Sequence, residues 1–249
     1  MDTWLKCNKL SLNINKTKYI IFRSTKNPSD VSQIGVSING QVIEKVDSTK
    51  FLGVEIDKHV NFKKHIDQLT NKLSKYVGLF YKLRHILPLS ALLTLYRSLF
   101  EPHIFYCNTI WCNTYPTNLN KLKVLQNKII RAISWLDYNA PTTPSYYSLG
   151  ILKLPDIITY HNACTMYQVM NKINTRLCEL VPVSLPQHTY NTRNKKHVTG
   201  KIRKLDCTSL SIVCSGPDIW NELEGFIKMS QSLLAFKKNV KKKLLLSYN

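Results

Sequence analysis

The spacing of apolar residues changes near residue 60, and this change limits the possible folds more than any other feature of the chain. Before that point, short β-branched and aromatic runs alternate with polar turns, which is typical of strands. Beyond it, apolar residues recur every three or four positions: Phe62, Ile66, Leu69, Leu73, Val77, Phe80 and Leu83. Such spacing places them on one face of a helix. The sequence therefore predicts an α+β fold, with a small antiparallel β-hairpin region followed by a mostly α-helical body.

Three strand-forming segments are predicted in the first sixty residues. The first covers residues 17–22, and the second is a hairpin over residues 34–46. Asn39 and Gly40 lie at the centre of that hairpin, and both residue types accept the positive φ angles of a type I′ turn. A third strand is predicted over residues 50–56.

The rest of the chain is predicted to be helical with two interruptions. Helices are expected over residues 60–83, 89–111, 119–136, 155–173 and 230–246, and the last of these is amphipathic and basic. Pro141 and Pro144 interrupt the pattern once. Residues 182–204 contain few large apolar side chains and are predicted to form an extended linker or loop. Gly216 and Pro217 are expected to introduce a short helix over residues 218–223.

The charge of the chain favours a polyanionic partner. Its 249 residues include 35 Lys and Arg against 15 Asp and Glu, a formal net charge of +20. Binding of basic side chains to phosphates releases condensed counterions, so nucleic acid is one such partner. A solvated, lysine-rich surface explains the same excess. Two clusters contain no acidic residue: Arg193, Lys195, Lys196, Lys201, Arg203 and Lys204, and then Lys237, Lys238, Lys241, Lys242 and Lys243.

The cysteines indicate reduced thiols rather than disulfides or a metal centre. There are seven, and no two are spaced as a Cys-x-x-Cys pair. His103, Cys107 and Cys112 lie close together without a second ligand pair at zinc spacing, so they are interpreted as core residues. No apolar run has the length of a membrane span, and the first residues do not resemble a signal peptide. The expectation is an intracellular protein of the cytoplasm or nucleus, not secreted and without a membrane partner.

Five short segments occur in an order and spacing that match one polymerase family. They are residues 4–22, residues 51–57, the pair His65 and Ile66, residues 95–111, and a C-terminal set at residues 190–193, 215–221 and 236–237. Together they resemble the C-terminal part of the reverse transcriptases of jockey-like non-LTR retrotransposons, which are RNA-directed DNA polymerases. The resemblance covers essentially the whole chain.

This resemblance implies a domain organisation. Residues 1–59 correspond to the end of the polymerase palm, with a motif D-like segment and a primer-grip-like strand. Residues 60–136 correspond to the helical thumb, and residues 137–181 to a helical extension. Residues 182–206 would form a basic linker, and residues 207–249 a C-terminal helical segment.

The resemblance also implies roles for residues of the palm end. Lys16 matches the motif D lysine, which would give a proton to the leaving pyrophosphate, since a lysine can act as a general acid beside a polyanion. A solvated lysine is the competing interpretation. Phe51, Leu52, Gly53 and Val54 match the primer grip, where glycine lets a nucleic-acid backbone approach closely. Alternatively, Phe51 and Val54 are core residues of a hairpin.

Basic residues farther along the chain have alternative interpretations as well. Lys64, Lys75 and Lys82 would contact duplex phosphates from the exposed face of the thumb helix, or simply form a solvated face. The stretch containing Arg193, Lys195 and Lys196 could hold template RNA or target DNA, act as a nuclear-localisation patch, or keep a linker soluble. The sequence leaves these possibilities open.

The catalytic metal site of the family has no counterpart in this sequence. Such polymerases hold two Mg²⁺ ions on paired aspartates, whereas no two aspartates are adjacent here. Asp47 and Asp57 are interpreted as turn carboxylates. No cofactor is expected in this chain, and Mg²⁺ only in an intact parent polymerase. The resemblance thus predicts a fragment, inactive alone, that grips an RNA template, a DNA primer or their hybrid. A non-catalytic nucleic-acid-binding module and a pseudogene product are the alternatives.

Overall fold

The computed structural model describes residues 2–24, 35–38, 40–184, 198–199 and 211–249. The chain divides into two compact units, Met1–His65 and Ile66–Asn249. The smaller unit holds the strands, and the larger one is helical. Each unit is described by itself below.

The first unit contains short elements joined by turns. Helix α1 (Asp2–Cys7) is followed by a 3₁₀ turn (Ile14–Lys16), which the Asn13 side chain caps by accepting from the Lys16 N–H. The strands follow in chain order: β1 (Lys18–Tyr19), β2 (Ser37–Ile38), β3 (Gln41–Val42), β4 (Glu44–Lys45), β5 (Ser48–Phe51) and β6 (Val54–Asp57). The strand predicted over residues 17–22 is thus shorter than expected.

Within the described residues of this unit, the strands pair in three separate two-stranded sheets. β2 and β3 are antiparallel with Ile38 opposite Gln41, and Gly40 has a φ of 76°, so the predicted hairpin is confirmed in its described residues. β1 and β4 pair in parallel, with Lys18 opposite Glu44. The sequence does not predict that parallel pair, because its two strands are far apart in the chain and have no shared turn.

The predicted third strand is wrong, because the chain reverses direction in its middle. β5 and β6 are antiparallel, and Phe51 is paired with Val54 across a two-residue turn. Leu52 and Gly53 both have positive φ, 44° and 87°. A two-residue turn of this kind has the twist that antiparallel strands need. The glycine therefore has a conformational role here: it allows the hairpin to turn.

Helix α2 (Lys63–Leu83) begins after a turn that Asp57 holds in place. The Asp57 carboxylate accepts hydrogen bonds from the backbone N–H groups of His59 and Phe62, at 2.9 and 2.8 Å. Asp47 pairs with Lys58 at 2.6 Å. Both aspartates are engaged in local turn contacts, as the sequence predicted.

The second unit contains the rest of α2 and ten further α-helices in its described part. Their bounds in chain order are α3 (Leu89–Leu95), α4 (Glu101–Phe105), α5 (Asn108–Trp111), α6 (Pro116–Ile133), α7 (Thr143–Leu149), α8 (Leu154–Met170), α9 (Thr175–Leu180), α10 (Ile212–Glu222), α11 (Gly225–Lys228) and α12 (Leu233–Leu246). The helices predicted from apolar periodicity at α2, α6, α8 and α12 are confirmed, with ends shifted by a few residues.

The single helix predicted over residues 89–111 is wrong in two places. A π-helical turn (Tyr96–Phe100) separates α3 from α4, and the Glu101 N–H donates to the Tyr96 carbonyl five residues back. Pro102 follows directly, and a proline inside a helix removes a donor and crowds the preceding turn. The helix then ends, because Tyr106 is extended and Cys107 has a φ of 51°.

Gly216 and Pro217 lie inside α10 rather than before it, so the predicted helix start is also wrong. The helix begins at Ile212, six residues before the predicted start at residue 218. Gly216 is needed for close approach: a Cβ added there would lie 2.7 Å from the sulfur of Met166 on α8. A Gly-Pro pair indicates a helix boundary from sequence alone, but here it allows two helices to approach closely.

Helix α8 lies at the centre of the core of the second unit, and α10 and α12 pack against it. Tyr167, Trp220 and Phe236 stack within this cluster. The Asn221 side-chain amide forms two hydrogen bonds with the backbone of Val198, at 3.0 and 2.9 Å. The backbones of Ser184 and Thr199 also pair. The predicted linker 182–204 otherwise lies outside the described residues, at 185–197 and 200–204.

Candidate nucleic-acid interface

The primer-grip-like residues form the tip of the β5–β6 hairpin in the first unit. Phe51 is 61% exposed and Leu52 is 73% exposed, while Val54 on the other side of the turn is 4% exposed. Gly53 is exposed as well. Val54 is therefore a core residue, and the suggestion that Phe51 is one is wrong. The hairpin presents two apolar side chains at an exposed turn.

Lys64 is engaged with the same hairpin. Its ammonium nitrogen lies 2.5 Å from Glu55 Oε1 and 2.6 Å from Ser48 Oγ. The Ser48 hydroxyl also donates to Glu55 at 2.9 Å. The hydrogen bond from Lys64 lowers the pKa of Glu55 below its usual value, against an opposing effect of burial. Lys64 thus neutralises a carboxylate that is only 8% exposed, which gives it a structural role.

Lys16 ends the 3₁₀ turn and is exposed. Its backbone N–H donates to the Asn13 carbonyl at 3.1 Å. Within the described part of the chain, no group of three or more His, Cys, Asp or Glu side chains is arranged to hold a metal ion. Lys16 and Lys64 both lie in the first unit.

Lys75 and Lys82 lie on the exposed side of α2 in the second unit. They are two turns apart, opposite the buried Leu73 and Phe80. Among the residues that the structure describes, neither lysine has a carboxylate partner. Lys121 differs, since it pairs with Asp67 at 2.5 Å. This face of α2 therefore carries uncompensated positive charge.

Basic side chains from α2 and α12 also surround α4 and the middle of α8. Burial lowers the pKa of His103, and the charge of Lys72 lowers it further. Burial likewise lowers the pKa of His161 to about 4, with Lys237 acting in the same direction. In contrast, the pKa of the half-buried Glu101 is raised by burial, despite Lys241 and Arg97 nearby. Burial is thus the main cause of each pKa shift, and the neighbouring basic side chains contribute less.

Sequence reasoning did not select Lys72 or Arg97 as site residues, and it noted Lys237 and Lys241 only as part of a charged cluster. The spacing of Lys237 and Lys241, four residues apart beside the buried Phe236 and Val240, could have placed them on one edge of α12. Nothing in the sequence shows that this edge lies near α4, because that is a tertiary contact.

A cation–aromatic cluster lies at the end of α2. The Arg84 guanidinium is 4.7 Å from the Trp135 ring centroid and 5.1 Å from that of Tyr81. His85 meets Trp135 edge-on at 4.8 Å, and Trp135 is 57% exposed. Arginine beside an exposed ring is a combination that nucleic-acid-binding surfaces use. Sequence reasoning missed it, because Arg84 and Trp135 are separated by fifty-one residues.

The basic stretch with Arg193, Lys195 and Lys196 lies outside the described residues. The residues on either side of it, Ser184 and Thr199, pair through two backbone hydrogen bonds of 3.0 and 2.9 Å. Within the described residues, no helix is both long enough and apolar enough to span a membrane.

Comparison with known proteins identifies relatives of one kind. The chain is 24% identical over 199 residues to the probable RNA-directed DNA polymerase from transposon X-element of Drosophila melanogaster, a match that covers 78% of this chain. It is 30% identical over 125 residues to the RNA-directed DNA polymerase from mobile element jockey of the same species, covering 49% of this chain. The jockey polymerase of Drosophila funebris is 30% identical over 127 residues.

These matches cover only part of each relative. The chain spans 21% of the X-element polymerase and 14% of each of the two jockey polymerases. No family model matches the chain, and no solved structure matches it. The short coverage is consistent with the predicted C-terminal fragment. The chain is thus a segment related to the reverse transcriptases of jockey-like non-LTR retrotransposons.

Proposed function

We propose that this segment grips the primer–template duplex of an RNA-directed DNA polymerase. The observation that carries the proposal is the exposed face of α2, where Lys75 and Lys82 have no carboxylate partner within the described residues. The polymerase relatives act on a nucleic-acid template, as their names state. The ligand of this segment is then an RNA template, a DNA primer or the hybrid that they form.

The spacing of the two lysines suits phosphate contacts. They are seven residues apart on one helix, which is about 10 Å along the helix axis. Contacts from such side chains to phosphates position a duplex without reading its sequence. A polymerase needs this type of contact because the duplex must move past the protein whatever its sequence.

Arg84 and Trp135 extend the proposed surface at the end of α2. The guanidinium is held over the Trp135 ring at 4.7 Å, so the cation and the exposed ring are presented together. A ring of this kind can stack on an unpaired base, and the cation can meet a phosphate. We place the single-stranded side of the primer–template junction near this cluster.

The chemistry of nucleotide addition requires groups beyond this surface. Phosphoryl transfer of this kind uses two metal ions held by neighbouring carboxylates. The sequence has no adjacent aspartates. Asp47 and Asp57 are engaged in turn contacts, and Asp67 pairs with Lys121 on another helix. We therefore propose that polymerisation depends on aspartates supplied by another part of a polymerase, and that Lys16 acts only in that context.

Binding of the purified chain to a fluorescently labelled RNA–DNA hybrid tests the proposal. The expected result is a dissociation constant that rises steeply between about 50 and 200 mM salt, because phosphate contacts release counterions. A primer-extension assay on the same sample should give no product. Failure to bind the hybrid at 50 mM salt, or binding that is insensitive to salt, would contradict the proposed function.

A further inference from the structure

A cleft of about 600 Å³ lies between α6, α8 and α10 in the second unit. Each helix contributes residues one turn apart: Leu119 and Lys123 from α6, Ile158 and Asn162 from α8, and Ser215 and Ile219 from α10. Its volume is within the range of small-molecule sites. None of the lysines that form the proposed duplex surface lines it, so it is a separate site.

One buried polar side chain that lines the cleft has an atom without a hydrogen-bond partner among the described residues. Asn162 is 4% exposed, and its Oδ1 atom has no hydrogen-bond partner in the part of the chain that the structure describes. A buried polar atom without a partner destabilises a fold, because its desolvation is not compensated. Gln126, another buried amide of this unit, is fully used: it bonds the Tyr96 hydroxyl and the backbones of Leu152 and Leu154. The fold can therefore satisfy a buried amide, whereas Asn162, which lines the cleft, keeps an acceptor without a partner among the described residues.

The chemistry of the cleft narrows the class of that ligand. Apolar side chains, including Leu119, Ile158 and Ile219, form walls suited to a flat apolar ring. The Asn162 amide carries the unpartnered Oδ1 acceptor beside its N–H donor group. Lys123 is exposed at the edge, and no carboxylate lines the cleft among the described residues. A ligand with a flat ring, an edge of alternating donors and acceptors, and a negative charge fits all three features.

We propose that the cleft binds a single unpaired nucleobase, with adenine preferred. An asparagine amide pairs with the N6 and N7 atoms of adenine through two hydrogen bonds. Pockets that receive an unstacked base hold its faces with aromatic or apolar side chains and read its edge. Lys123 then meets the phosphate of the same nucleotide. The proposal deepens the proposed function, since it rests on this segment handling nucleic acid.

Calorimetric titration of the chain with free 5′-dAMP and with free 5′-dTMP tests the proposal without any nucleic-acid polymer. The wild-type chain should bind dAMP about tenfold more tightly than dTMP, the discrimination expected of a two-hydrogen-bond contact. Asn162→Leu should abolish the difference and raise the thermal midpoint, because it removes an unpartnered polar atom. Lys123→Gln should weaken both nucleotides equally.

Asn108→Leu is the matched control. Asn108 is 1% exposed, its Nδ2 atom also lacks a partner within the described part of the chain, and it does not line the cleft. This variant should keep the dAMP preference. The proposal is overturned if dAMP does not bind the wild-type chain or binds Asn162→Leu equally well. It is also overturned if uncharged N-acetyl-leucinamide binds in place of dAMP, since the cleft would then be a peptide site.

The two proposals fail in different ways. Loss of hybrid binding in a Lys75→Glu, Lys82→Glu variant with unchanged dAMP affinity would support both. Hybrid binding without any dAMP binding would contradict the proposal that the cleft binds a nucleobase, and it would still support the proposed duplex surface. Binding of dAMP without hybrid binding would contradict the proposed duplex surface, and it would still support a nucleotide site in the cleft.

Discussion

The hydroxyl of Tyr248 donates a hydrogen bond to the carboxylate of Asp156 at the start of α8. The same hydroxyl accepts a hydrogen bond of 2.9 Å from the Lys153 N–H. The Lys153 ammonium lies 4.3 Å from the centre of the Tyr248 ring. Burial raises the pKa of Tyr248, so the hydroxyl keeps its proton and remains a donor. Residues after α12 are therefore tied to the helix at the centre of the core.

Tyr248→Phe should destabilise the second unit by about 1–3 kcal/mol, because the Lys153 N–H and the Asp156 carboxylate are each left without this partner. Urea unfolding followed by circular dichroism measures the change. Tyr138→Phe is the control, since Tyr138 is 69% exposed and its replacement should leave the unfolding midpoint unchanged. Equal midpoints for Tyr248→Phe and wild type would show that these hydrogen bonds contribute nothing to stability.

Gln126→Leu should be more damaging. The Gln126 side chain, 1% exposed, joins α6 to the Tyr96 hydroxyl, the Leu152 carbonyl and the Leu154 N–H at 2.9–3.0 Å. A leucine of similar size leaves three buried polar groups without partners, at a cost of about 3–5 kcal/mol. The same urea titration measures this loss of stability. A change under about 1 kcal/mol would mean that water replaces the amide.

Gly216→Ala tests the close approach of α10 and α8. The added Cβ would meet the Met166 sulfur at 2.7 Å, and Met166 is fully buried. A loss of about 1–3 kcal/mol is expected from overpacking. Gly78→Ala on α2 is the matched control, because nothing lies within 4 Å of its Cβ position. It should stabilise by about 0.5–1 kcal/mol through helix propensity.

A double variant separates packing from backbone effects. In a Met166→Ala background, Gly216→Ala should become neutral or stabilising, because the colliding sulfur is gone. If the destabilisation persists in that background, a neighbour other than Met166 is responsible.

Stability should fall between pH 6.5 and pH 4 because of His161. Burial lowers its pKa from 6.5 to about 4, with Lys237 adding to the effect. The unfolded chain therefore binds a proton in this interval that the folded chain does not, and stability is complete above pH 6.5 and lost as pH falls to about 4. His161→Phe should flatten this part of the curve. An unchanged curve in the variant would show that other groups govern the acid loss.

Helix positions can be predicted from sequence where one apolar face is buried continuously. On α2, Ile66, Leu69, Leu73 and Phe80 are buried with the spacing that the sequence shows. Predictions were wrong where a residue type is compatible with more than one backbone structure. The sequence predicts that Gly216 and Pro217 mark a helix boundary, although both lie within α10. The close approach of a nucleic-acid backbone at Gly53 stays a prediction, because its positive φ shows only that it forms the turn.

Parts of the candidate site depend on tertiary structure that no local pattern records. Lys64, Lys75 and Lys82 are equivalent in sequence, but Glu55 engages the first of them. That pairing requires knowledge of the β5–β6 turn, which places Glu55 and Ser48 on adjacent strands. Asn162 gives no signal at all, because its lack of a partner is a property of three helices together.

The salt dependence of hybrid binding by a charge-reversed variant tests most directly whether the exposed face of α2 binds a duplex. Lys75→Glu with Lys82→Glu should lower the slope of log affinity against log salt by roughly 2, about one for each phosphate that is no longer bound. Lys121→Glu with Arg176→Glu makes the same change in net charge at lysine and arginine residues that already have acidic partners, and should leave the slope near that of wild type. Equal slopes for wild type and the Lys75, Lys82 variant would show that these lysines do not contact the duplex.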